Sequence, residues 1–176
     1  MSRRRIVRIG FWVVLAVAAA LVIRSVVDGG DSSGDTTAPE IVTLEELRDA
    51  ASSEGKPIYW AGVQAGTELE LSRPDQERTY VRYLTGGAEA GAKRSEFLTV
   101  GTYAFPGAAA ALKELSQKPG GVRAATAGGG IIYFDRSRPR NVYLAYPAVD
   151  VEIEVYDPDP KRALGLVASG QIVPVG

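Results

Sequence analysis

The feature that most constrains this chain is a run of uncharged apolar residues, IGFWVVLAVAAALVI at 9–23, set between arginines and aspartates. As a helix this run rises only about 22 Å, against the roughly 30 Å hydrocarbon core of a bilayer. Extension through Ser25, Val26 and Val27 closes the gap and places Arg24 inside the span. A long cationic side chain within a turn of the end is tolerated there because it snorkels to the headgroups. Arg3, Arg4, Arg5 and Arg8 precede the run, and Asp28, Asp31 and Asp35 follow it. A basic flank on the N-terminal side keeps that end in the cytoplasm. The expectation is a cytoplasmic tail at 1–8, a single-pass transmembrane signal anchor at 9–27, and a domain on the extracytoplasmic side of the cell membrane. The small residues Ala16, Ala18 and Ala20 also suit a cleavable secretory signal, but cleavage after Ala20 leaves LVIRSVV as an exposed apolar end, which favours an uncleaved anchor. SRRRIVR at 2–8 loosely matches a twin-arginine export signal, though three arginines before an apolar run are common in signal anchors. With no cysteine, a lipidated-cysteine anchor is excluded.

All 21 acidic residues lie from Asp28 onward and five of the 20 basic ones lie before it, so the exported part carries 15 − 21 = −6. That balance argues against nucleic acid as a partner. Arginine far exceeds lysine and Asn141 is the only asparagine, a bias typical of GC-rich bacterial genomes. Without disulfides the exported domain depends on its hydrophobic core, and residues 40–176 are enough for one. Lack of both histidine and cysteine excludes Ser-His-Asp and Cys-His nucleophiles, imidazole-bound zinc, His-ligated haem and Cys-held iron–sulfur clusters. No cofactor and no metal is expected, and the chain reads as a noncatalytic protein. Carboxylate, Ser/Lys or tyrosine chemistry is what remains open to it.

Residues 28–39, DGGDSSGDTTAP, have no apolar periodicity and read as a disordered tether. Their aspartates miss the spacing of a calcium loop. Beyond them Thr43 and Glu46 form a capping box that opens a helix, which Gly55 and Pro57 end. Strands are expected at 58–63, 68–72, 79–84 and 97–103, a second helix at 106–117, a Gly-turned hairpin at 122–126 and 131–135, and strands at 141–146 and 151–156. A third helix starts at Asp159 and Pro160, with Ala163, Leu164 and Val167 inward, and 171–175 is a last strand. In VEIEV the alternation sets Val151, Ile153 and Val155 on the core and Glu152 and Glu154 in water. The fold class is α+β, a mainly antiparallel sheet with about three helices. Two strand–helix–strand units, each with a tyrosine and a proline before an Ala/Leu helix, suggest ferredoxin-like elements at 95–176.

LTVGTYAFPGAAAALKELSQKPGG, at 98–121, resembles the first half of a SPOR domain, whose opening strand carries a V-x-V-G-x-F type run before an Ala/Leu helix. The second half, VEIEVYDPDPKRALGLVASG, lacks the repeated Val-Gly-x-Phe element. The resemblance, over 97–175, implies a peptidoglycan-binding module held beyond one membrane span and a linker. More broadly the chain is similar to membrane-anchored proteins of high-GC bacteria.

One feature suits binding. Arg136, Arg138 and Arg140 cluster in DRSRPRN between two strands, where they suit an anionic envelope polymer or phospholipid headgroups, while peptidoglycan or a protein partner is the wider expectation for the domain. Tyr59, Trp60, Tyr80, Tyr83, Tyr143 and Tyr146 occupy alternate strand positions and read as core. The glycine-rich segment 86–95 lacks the Gly-Lys step of a phosphate loop. Lys93 with Ser95, or Lys56, lacks a bracketing oxyanion hole. Glu152, Glu154, Asp157 and Asp159 read as solvated or capping residues, with a small carboxylate-dependent envelope hydrolase as the alternative.

Overall fold

Residues 37–176 are described by the computed structural model, so the expected anchor and residues 28–36 of the tether lie outside the described residues. Within 37–176 the chain alternates ten strands with three helices. The strands are β1 (Thr37–Val42), β2 (Tyr59–Trp60), β3 (Glu68–Arg73), β4 (Arg78–Leu84), β5 (Thr99–Ala104), β6 (Gly121–Ala125), β7 (Ile131–Asp135), β8 (Asn141–Ala145), β9 (Val151–Tyr156) and β10 (Val173–Pro174). The helices are α1 (Leu44–Ser53), α2 (Ala108–Leu115) and α3 (Pro160–Ala168). This is an α+β chain with a mainly antiparallel sheet and three helices, the class expected from sequence.

Local chemistry explains the helix starts. Thr43 accepts the Glu46 N–H at 3.2 Å, and the Glu46 carboxylate accepts the Thr43 N–H at 2.7 Å, so two otherwise unpaired donors are satisfied reciprocally. Asp159 caps α3 through the Lys161 N–H, with Pro160 at the first helical position. In α3 the inward residues are Ala163, Leu166 and Val167, while Leu164 is only partly buried. The i, i+3, i+4 stripe, rather than adjacency to Ala163, sets that phase. α2 starts later than expected, because Gly107 precedes it in the left-handed region at φ 78°.

Eight strands form one sheet in the order β1-β3-β4-β5-β9-β8-β7-β6, and β10 pairs with β2 in a separate ribbon. Every neighbouring pair is antiparallel. The C-terminal half departs from the ferredoxin-like order, which needs its two central strands parallel. After α2 carries the chain to the far edge, three short turns make β6 to β9 a meander that walks back until β9 lies antiparallel on β5, Val100 opposite Val155. β10 then leaves the sheet, and Val173 faces Trp60 of β2. β1 also begins before the expected domain start at Glu40. Its register breaks between Thr37 and Glu40, so Pro39 sits at an irregular edge, where its missing N–H breaks no regular ladder.

Both faces of the sheet are covered. On one, Leu71, Val81, Val100, Val142, Leu144, Ile153 and Val155 meet Leu47 of α1, Leu166 and Val167 of α3, and Tyr59 and Trp60 of the ribbon in a single cluster. Ala108 and Leu112 of α2 are fully buried but stand outside that cluster, and α2 contacts β7, β8 and β9. α2 therefore covers the opposite face.

Candidate functional site

The arginine cluster lies in the turn between β7 and β8. Asp135 builds that turn. Its Oδ1 accepts the Ser137 N–H at 2.7 Å and the Ser137 hydroxyl at 2.6 Å, which holds its carboxyl below the usual carboxylate range. The backbone closes behind it, Arg138 N–H to Asp135 O at 2.9 Å and Asn141 N–H to Arg138 O at 3.2 Å. Asp135 is thereby occupied with shaping the loop. Arg136, Arg138 and Arg140 are all exposed, and among the described residues none of the three forms an ion pair. Between residues 115 and 149 the charged residues are Lys118, Arg123, Arg136, Arg138 and Arg140 against Asp135 alone, 5 − 1 = +4, whereas residues 37–176 as a whole carry 15 − 18 = −3. The positive charge is thus concentrated in the β6–β8 quarter of an otherwise acidic unit. Beside the loop, Pro139 and Phe134 share an apolar concavity of about 190 Å³ with Leu164 and Lys161 of α3.

The turn after β7 lies beside the end of β9, where the Asp157 N–H donates to Arg140 O at 3.1 Å.

The second cluster corrects the reading of β9. Val151, Ile153 and Val155 are buried as expected, but Glu152 and Glu154 do not face water. Glu154 is 7% exposed and lies between Gly101 of β5 and Tyr143 of β8. Its Oε2 accepts the Tyr103 hydroxyl at 2.5 Å, and its Oε1 accepts the Tyr143 hydroxyl at 3.1 Å and the Asn141 amide. Gly101 makes this possible. The Tyr103 ring folds back over it, and a Cβ at that position would stand 2.9 Å from the Tyr103 hydroxyl. Tyr80 packs edge-on against Tyr103, and Tyr133 lies beside Tyr143. Burial and then the Glu154 charge push Glu152 up to about 7. Burial, followed by the same charge, raises Tyr103 and Tyr143, so both phenols stay protonated as donors. Strand alternation missed this cluster because a period of two separates faces but does not say that the second face is covered too. The available signal was that Tyr103, Asn141 and Tyr143 occur in strands with no cation among them.

Other candidates resolve as structure. Tyr59, Trp60, Tyr80, Tyr83 and Tyr143 are buried, and Tyr146 is half-buried. In the glycine-rich loop the Gly91 N–H is taken by Glu70 at 2.6 Å, and Glu70 is paired with Arg82 at 2.7 Å. Lys56 donates to the Gln76 carbonyl, and Asp157 is buried against Arg162. A groove of about 340 Å³ beside the start of α1 is lined by Ile41, Val63, Leu69, Glu46 and Glu68 among others. Among the described residues no group of three acidic side chains is placed to hold a metal ion, and no helix is long and apolar enough to cross a membrane.

The chain matches no protein-family model, no curated protein and no solved structure.

Proposed function

We propose that this protein is a membrane-tethered, extracytoplasmic, noncatalytic binding domain. An N-terminal transmembrane helix anchors it, and its basic turn meets an anionic component of the cell envelope or an acidic protein partner. The observation that supports this reading is the turn at Arg136, Arg138 and Arg140: three exposed guanidinium groups without ion-pair partners among the described residues, in the basic part of an otherwise acidic unit. The SPOR-like run at 98–121 makes peptidoglycan the first polymer to test. Residues 37–176 belong to one compact unit, and a chain of 33–176 suits the experiment. Replacing Arg136, Arg138 and Arg140 together by Ser should reduce sedimentation of this unit with purified cell-wall material several-fold while shifting stability by no more than about 0.5 kcal/mol, and added salt should weaken the wild type in the same direction. Equal sedimentation of the two proteins would remove the loop from the binding surface.

A carboxylate-dependent hydrolase is the second reading, and Glu152 and Glu154 favour it. They lie two residues apart on one face of β9, roughly 7 Å along the strand, one of them with a pKa near neutrality. Three hydrogen-bond donors already occupy Glu154, and neither described concavity is lined by either glutamate. Glycan cleavage by the wild type that disappears in Glu152→Gln would establish this reading in place of the first.

A further inference from the structure

Two bonds fix the phase of the β6–β7 ladder: the Arg136 N–H donates to Gly120 O at 3.0 Å and the Thr126 N–H to Gly130 O at 2.9 Å. Backbone groups alternate along an antiparallel strand, so Val122 and Ala124 turn theirs toward β7, and Gly121, Arg123 and Ala125 turn theirs outward. The Gly121 N–H is taken by Lys118 O at 2.9 Å. β6 is the last strand of the sheet. The C=O of Gly121 and both backbone groups of Arg123 and Ala125 therefore form an outward row without a strand partner among the described residues.

The two edges of the sheet are built differently. β1 carries Pro39 and a register break, both of which blunt strand addition. β6, GVRAA, keeps an unbroken register with β7 from Gly121 to Ala125 and has no proline, and its residues Arg123 to Ala125 are exposed. Its one charged side chain is Arg123. Lys118 precedes β6 and closes its start, where Lys118 O accepts the Gly121 N–H. The edge is therefore open and cationic.

We propose that β6 is a docking edge for an extended acidic segment of a partner protein, which adds as a ninth strand and sets a carboxylate against Arg123. Main-chain hydrogen bonds would supply the affinity and Arg123 the choice of partner. A second copy of this chain fits less well, because the two-fold register that uses the whole row, Gly121 to Ala125, sets Arg123 against Arg123, and like charges across a ladder repel. The inference rests on the binding-domain reading and names the partner's chemistry.

Residues 33–176 would be titrated with a seven-residue peptide alternating threonine and glutamate, and with its threonine–lysine counterpart, while amide hydrogen exchange is followed residue by residue. The acidic peptide should slow exchange at Arg123 and Ala125 at least tenfold and leave Val122 and Ala124 unchanged. The basic peptide should do neither. Arg123→Glu should reverse the preference between the peptides. Ala125→Pro removes only an outward donor, so it should abolish protection while the β7-facing amides stay protected. Undiminished binding in Ala125→Pro, equal binding of both peptides, or slow exchange at Arg123 and Ala125 in the free protein would overturn the proposal. Protection that grows with protein concentration alone would overturn it in favour of a dimer. If the triple serine variant loses cell-wall binding while the acidic peptide fails to bind, the edge proposal falls and the binding-domain reading stands.

Discussion

Glu152 shows how much a single covered position changes. An ordinary glutamate titrates near 4.5, and burial beside Glu154 raises this one to about 7. A carboxyl whose folded pKa lies above its unfolded value favours folding in its protonated form. Its contribution is complete below about 4.5 and is lost as pH rises toward about 7. That interval corresponds to up to about 3 kcal/mol, at roughly 1.4 kcal/mol per pKa unit. Glu46 and Asp135, held low by hydrogen bonds from Thr43 and Ser137, act in the opposite sense and below this window. Denaturant unfolding between pH 4.5 and 7.5 should therefore show stability falling as pH rises, and Glu152→Gln should flatten the slope. A wild type with no slope would mean that Glu152 is solvated. The sequence supplied the alternation that places Glu152 and Glu154 on one face, but not the layer above them. That layer depends on Ala108 and Leu112 crossing to the far side of the sheet, which a period of two along β9 does not record.

At the scale of elements, the legible features were those whose cause is local. Thr43 and Glu46 announce α1, Pro160 announces α3, and the glycines at 128–130 announce the β6–β7 hairpin, because each acts within three or four residues of itself. Thr43→Ala removes the acceptor for the Glu46 N–H and should lower stability by about 1 kcal/mol in a urea titration. No change would mean that solvent replaces the cap at no cost. Pairing order was not legible in the same way. β5 reads as a strand from its alternation, but its two neighbours, β4 and β9, are settled by where α2 delivers the chain and by how many hairpins follow. β1 was hidden for a different reason: Thr37, Ala38 and Pro39 have the composition of a tether, and only their place opposite β3 makes them a strand.

The whole unit is closed by its last residues. Ile172 is 1% exposed, the Val175 N–H reaches Ile58 O at 2.8 Å, and Arg48 of α1 donates to the Gly176 carbonyl. The β2–β10 ribbon is joined to the sheet below it, where the Tyr59 N–H meets the Thr102 hydroxyl and the Ala61 N–H meets the Tyr83 hydroxyl. Truncation after Gly170 should lower the urea midpoint by roughly 1–2 M, since it empties the Ile172 site and uncovers Tyr59 and Trp60. A midpoint unchanged by that truncation would show that the ribbon adds nothing to the core. The order of the large sheet also sets a timetable for synthesis. β5 pairs with β4 as soon as both exist, but its other edge must wait for β9, and residues 105–150 are made in between. At about 5–20 residues per second, a nascent chain carries that bare edge for roughly 2–9 s. During this interval the backbone groups of Thr99, Gly101 and Tyr103, which face β9 in the finished sheet, form an unfinished template open to any passing strand, an aggregation hazard that ends only when β9 arrives.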